Sequence, residues 1–218
     1  MKKYIASAIL VFLFLVPGFG QSEPDRAAEV KGTEMLQQAS AKLKTYRSMK
    51  IQFTYEMGHG EQVIEAMKGE LISQGDRYRM EVDDNLFISD GINTWSYLDE
   101  MEEVYVNLLE NNEGGLTPTS ILEEFETQFR AKHIRQESHQ GKQVEIIDLV
   151  PKTPQAFFKF RVALDPSTKM LVYTIAYDRE GGTYTYRIDR FEGNPEVADS
   201  LFTFNASDYP DAEVIDLR

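Results

Sequence analysis

The stretch Met49–Met57, "MKIQFTYEM", decides the fold. Met49, Ile51, Phe53, Tyr55 and Met57 alternate with Lys50, Gln52, Thr54 and Glu56. A period of two places the apolar set on one side of an extended chain and the polar set on the other, which is the pattern of a half-buried strand. Gly58-His59-Gly60 then supplies turn chemistry, and "QVIEAMKGELIS" reads as the returning strand.

The same grammar continues downstream. "DRYRMEV" sets Tyr78, Met80 and Val82 against Arg77, Arg79 and Glu81. "LFIS" and "TWSYL" flank Asp90-Gly91, and "EEVYVN" follows. After the pair Gly114-Gly115, "TPTSILEEFETQF" switches to helical spacing. Thr117 is placed as N-cap, Pro118 as the first helical residue and Glu123 and Glu124 early in the helix; Ile121, Leu122, Phe125 and Phe129 form its stripe. Five further strands follow: "FRAKHIR", "QVEIIDLV", "AFFKFRVAL", "MLVYTIAY" and "TYTYRIDRF". Their separators, His139-Gln140-Gly141, Asp165-Pro166-Ser167 and Glu180-Gly181-Gly182, are turn sequences. Asn194-Pro195 starts a helical turn, "LFTF" reads as a short strand, and "DAEVIDLR" offers a last edge strand.

Upstream of Met49, Met35, Leu36, Ala39 and Leu43 recur at helical spacing behind Thr33, predicting an amphipathic helix from about Glu34 to Thr45. Gln21 to Gly32 reads as a loose leader. Before it, Lys2 and Lys3 precede an apolar run that is too short and wrongly flanked to span a bilayer, and Pro17, Gly18 and Gly20 follow. That is the anatomy of a secretory signal peptide over residues 1–20, cleaved after Gly20. The mature chain then starts at Gln21, and the short basic start points to the bacterial periplasm.

About 11 strands joined by hairpin-length gaps, with two helices, predict a mainly β (α+β) fold in one domain over residues 33–218. It is a single, strongly curved antiparallel sheet that curls toward an unclosed barrel, with helices lidding its concave face. The chain has 218 residues and no cysteine. A core of this size needs no disulfide staple. The net charge of −13 becomes −15 once Lys2 and Lys3 are removed. This excludes a nucleic-acid partner, which needs a basic stripe, and disfavours rest on an anionic membrane.

Catalytic chemistry is not written in the residues. There is no cysteine nucleophile and no phosphate-cradling glycine loop. His59, His133 and His139 have no ligand spacing and read as structural. Asp99, Glu100, Glu102 and Glu103 lack the oxygen-ligand spacing of a calcium loop and read as a solvated hairpin tip. The chain is read as a non-enzyme without metal or cofactor. It has instead 13 Phe, 11 Tyr, 8 Met and a single Trp. Set inside a curled sheet, such residues make either a solid core or an apolar cavity.

"SDGINTWSYLDEMEEVYV" resembles the central signature of the periplasmic outer-membrane lipoprotein carrier family, the LolA family: a D-G turn, W-x-Y, then a strand ending in an E-V-x-V-like run. "GELISQGDRYRMEV" and "LFTFNASDYPDAEVIDLR" resemble further family segments, in the family's order. The resemblance covers about residues 33–218. It implies an unclosed barrel whose concavity holds acyl chains. The partners it implies are acylated lipoproteins, an inner-membrane ATP-driven releasing complex and an outer-membrane receptor, served by a monomeric carrier. On this reading Ile51, Phe53, Tyr55, Met80, Trp95 and Tyr97 line the concave face, and Ile121, Leu122 and Phe125 form the lid contact. One departure stands out. Family members carry a basic residue and a proline in the loop after the G-x-L strand, where this chain has Ser73-Gln74-Gly75-Asp76. A lipid- or lipoprotein-binding sensor, or a glycolipid-binding envelope module, therefore stays open as an alternative.

Overall fold

The computed structural model of the chain describes residues 23–111, 119 and 121–218. The expected signal peptide 1–20, Gln21, Gly114-Gly115 and the expected helix start at Thr117-Pro118 lie outside the described residues.

Two helices and twelve strands are seen among the described residues. Helix α1 is Glu23–Leu43 and α2 is Ile121–Gln128. The first six strands are β1 (Met49–His59), β2 (Gln62–Gln74), β3 (Arg77–Val82), β4 (Asn85–Asp90), β5 (Asn93–Leu98) and β6 (Glu103–Leu108). The second run is β7 (Phe129–His139), β8 (Lys142–Pro151), β9 (Phe157–Leu164), β10 (Leu171–Asp178) and β11 (Gly182–Gly193), and β12 is Glu213–Asp216. All lie in one sheet ordered β12-β6-β5-β4-β3-β2-β1-β11-β10-β9-β8-β7. The two meanders therefore join in the middle, where β1 pairs with β11. Strands β12 and β7 are the free edges, so the barrel is not closed. Every pairing is antiparallel except β12 with β6.

The expected mainly β, unclosed architecture is what the chain adopts, with three differences. First, α1 begins at Glu23, so the stretch read as a loose leader is the first half of a helix. It carries no apolar stripe because it meets β7 through the backbone at Gly32 and through polar side chains, Asp25 with Lys132 and Lys31 with His133. A Cβ on Gly32 would stand 2.7 Å from the amide nitrogen of His133, closer than any side chain tolerates. Glu23 and Asp25 occupy its first turn, where the helix dipole favours acids. Second, "LFTF" is not a strand. Asp199–Phe202 is a 3-10 turn that buries Phe202 to 1% exposure. Third, the possible terminal edge strand forms as β12 but runs parallel to its neighbour, because the chain reaches it after crossing the outside of the sheet.

The helices cover one face. Leu36, Ala39 and Leu43 of α1 and Ile121, Leu122 and Phe125 of α2 share one buried cluster with Ile147, Leu149, Phe160 and Val162 of β8 and β9. This side is the concave, inner face, and the expected lid contact is present there.

Candidate functional site

Cross-strand partners project to the same side of a sheet, so the register maps the inner face row by row. One row runs Phe191, Ile51, Leu71, Met80, Phe87, Ser96, Tyr105 across β11 and β1–β6. The next runs Ile188, Phe53, Gly69, Val82, Asn85. Above it stand Tyr186, Tyr55 and Met67.

The floor of this face is dry. Ile51 and Phe53 are each 1% exposed, and Leu71, Met80 and Val82 are buried with them. Half-buried Tyr55, Met67, Tyr78 and Phe87 surround the floor. The helices press on the β7–β9 side, so the β1–β4 side keeps part of its apolar surface accessible. Phe53 is held down by the absence of a side chain at Gly69, where a Cβ would come within 2.3 Å of its ring. Tyr186 lies over the floor, with its ring 5.4 Å from Phe53 and 4.9 Å from Tyr55. Burial pushes the Tyr186 phenol far above its ordinary pKa, and it raises Tyr55 as well, with Tyr184 and Glu65 adding to that shift.

Of the six residues expected on the concave face, Ile51, Phe53, Tyr55 and Met80 share this face. Trp95 and Tyr97 do not, and this corrects the sequence reading. In the register, Ser96 is the residue opposite Phe87, while Trp95 faces Ile88 and Tyr97 faces Leu86. Both aromatics therefore point to the outer face. They are covered there by the C-terminal segment: Phe204 stacks on Trp95, and Tyr209 packs on both Tyr97 and Phe204. Alternation tells which residues share a face but not which face is concave. Leu71, Val82, Phe87 and Tyr186 share the face and were not singled out from the sequence. The signal that finds Phe87 is the two-residue turn Asp83-Asp84, which pairs Val82 with Asn85 and hence Met80 with Phe87.

The loop that departs from the family pattern also has a place. Gly75 takes a φ of +59°, and the next basic residue, Arg77, binds outward. Its guanidinium donates to Asp199 at 2.7 Å and lies 4.8 Å from the Phe202 ring, clamping the C-terminal segment.

The histidines lie apart. His133 meets Glu145 at 2.5 Å beneath α1, with Lys31 3.4 Å from the same carboxylate. His139 packs on Tyr173. His59 abuts Gly181. The acidic tip is a 3-10 turn, Asp99–Met101, with Glu102 in the left-handed region. Its Asp99 accepts a bond from the Tyr97 hydroxyl, which pushes that phenol up to about 12. Among the described residues no group of three or more His, Asp or Glu is disposed to hold a metal, and no helix is long and apolar enough to cross a membrane.

The profile of the family described as "Outer membrane lipoprotein carrier protein LolA" matches residues 44–205. No curated protein matches. Among solved structures, an uncharacterized conserved protein from Thermus thermophilus is similar at a TM-score of 0.59 and 10% identity, over 85% of this chain and 99% of that one. A putative outer membrane lipoprotein-sorting protein domain from Vibrio parahaemolyticus is similar at 0.48 and 14% identity, over 83% and 99%. Mycobacterium tuberculosis lipoprotein LppX is similar at 0.47 and 12% identity, over 81% and 99%. At such identities the likeness is one of fold.

Proposed function

The chain belongs to the outer membrane lipoprotein carrier protein LolA family, and from that premise we propose that it shields the acyl chains of lipoproteins against its inner face and carries them from the inner to the outer membrane. One observation supports this most. The dry floor of Ile51, Phe53, Leu71 and Met80 is rimmed by half-buried Tyr55, Met67 and Phe87, so apolar surface continues outward from a formed core. Burial of one CH₂ is worth about 0.8 kcal/mol, which makes a C16 chain insoluble by about 12 kcal/mol. Transfer through water needs such a surface, and handover needs it not to be sealed.

On this reading residues 1–20 direct export to the periplasm, and the protein works there as a monomer without catalysis, metal or cofactor. It receives cargo from an inner-membrane ATP-driven releasing complex and delivers it to an outer-membrane receptor. A second reading, a sensor or glycolipid-binding module of the envelope, draws support from Ser73-Gln74-Gly75-Asp76, which lacks the basic-proline pair expected of a carrier. Native mass spectrometry of protein taken from the periplasmic fraction separates the two. Acylated polypeptide bound at one to one supports the carrier. Free phospholipid or glycolipid supports the alternative, and ligand-free protein that also ignores palmitate in titration removes both.

A further inference from the structure

Strand β2 is 13 residues long, but only its second half is paired on both sides. Gly69 to Gln74 pair with β3, whereas Gln62, Val63 and Glu65 to Met67 pair with β1 alone. The ladder stops at a defined point: the amide of Asp83 donates to the carbonyl of Lys68 at 3.1 Å, and the chain then turns away. Backbone groups two apart on a strand point to the same side, so the N–H and C=O of Ala66 face outward in turn, with no partner among the described residues. Gln62 to Ala66 are all exposed, Val63 to 54% and Ile64 to 70%. A register shift opposite Met57-Gly58 sets Ile64 out of the β1 pairing, so the open edge is short.

This edge stands beside the apolar inner face. Met67 projects to the inner face next to Tyr55. The surroundings are acidic: Glu61, Glu65, Asp83 and Asp84 are exposed, and Lys68 is engaged with Asp189 at 3.2 Å. A bare strand edge recognises extended backbone, and its side chains set the preference.

We propose that the upper edge of β2, centred on Ala66, is a docking site for the extended peptide that follows the acylated residue of a bound ligand, with a preference for basic over acidic sequence. The proposal builds on the acyl-binding reading of the inner face. The acyl chain occupies the cavity, and the peptide leaves it as an added strand of about two backbone hydrogen bonds.

The test compares palmitate with an N-palmitoylated heptapeptide of alternating lysine and threonine, by calorimetry and amide hydrogen exchange. The lipopeptide is expected to bind about tenfold more tightly than palmitate and to protect the Ala66 amide. Ala66→Pro removes the outward donor without touching the β1 ladder, and is expected to erase the tenfold gain while leaving palmitate binding unchanged. N-methylation of alternate amides in the peptide does the same from the ligand side, so the test survives a variant that folds poorly. Palmitate binding with no gain from the peptide, or a gain that N-methylation leaves intact, overturns the edge site alone. Absence of palmitate binding overturns the acyl-binding reading and the edge site with it.

Discussion

The indole of Trp95 lies nearly parallel to the ring of Phe204, tilted by 14° with centroids 6.3 Å apart, on the side of the sheet away from Met80. The only tryptophan of the chain therefore reports on the C-terminal segment and not on the inner face. Phe204→Ala is expected to shift Trp95 emission to longer wavelength and to cost about 1 kcal/mol in urea unfolding, the scale of one aromatic pair. Palmitate added to the wild-type protein is expected to leave the emission where it was. A saturable shift with palmitate would place the acyl site on the outer face.

Gly69 is required by Phe53. A methyl group there would meet the Phe53 ring at 2.3 Å and the Glu81 carbonyl at 2.9 Å. The ring cannot retreat, because it is 1% exposed in the floor of the inner face. Gly69→Ala is expected to destabilise by about 1–3 kcal/mol, as overpacking does. Denaturant midpoints check this, and the double variant Gly69→Ala with Phe53→Leu should recover part of the loss if the clash is the cause.

Leu122 is 1% exposed between the two helices and the sheet. Leu122→Glu puts a carboxylate where no water reaches and should cost several kcal/mol of helix docking. Limited proteolysis is expected to cut near α2 in the variant long before the β-sheet is attacked. Equal resistance to wild type would show that the glutamate escapes to solvent.

Asp90 ties the β4–β5 turn. Burial works to raise its carboxyl pKa, but the amides of Asn93 and Ile92 and the Asn93 side chain outweigh that and hold it below the usual value. A carboxylate with a depressed folded pKa stabilises above its unfolded value of about 3.9, and the contribution fades as pH falls through the folded value. Asp90→Asn is therefore expected to lose about 1 kcal/mol at pH 7 and progressively less below pH 4, as seen in thermal unfolding across pH. A loss that stayed constant to pH 2 would show that the charge is irrelevant.

Much of the architecture was legible because alternation is a direct image of a half-buried strand. Met49 to Met57 lie on the strand that alternation assigned them, and Ile51, Phe53, Tyr55 and Met80 fall on one face. Two things were hidden. The first half of α1 contacts β7 through Gly32 and through polar side chains such as Asp25 with Lys132, and such contacts leave no apolar stripe to read. The facing of Trp95 was hidden because the apolar side of β5 is the outer one, where Phe204 and Tyr209 cover Trp95 and Tyr97, while Thr94 and Ser96 turn to the inner face. Alternation alone gives no local clue to the curvature of a sheet that packs on both sides. Only counting register outward from Met80 through the Asp83-Asp84 turn assigns the faces.

The seat of β1 between β2 and β11 has a consequence for how the chain comes to be folded. The hydroxyl of Thr54 bonds to Asp189 across 135 residues of sequence, whereas β2 to β5 need only their hairpin neighbours. A nascent chain can build the first meander early, but one flank of β1 then waits, exposed and alternating, for a strand made near the end of synthesis. Such non-local closure is slow and leaves an edge open to wrong partners meanwhile. Refolding from urea is accordingly expected to show two stages, the early meander before the joining of β1 to β11, and a single exponential phase would overturn this. The vulnerable species is the half-sheet in which β1 stands in the place of an edge.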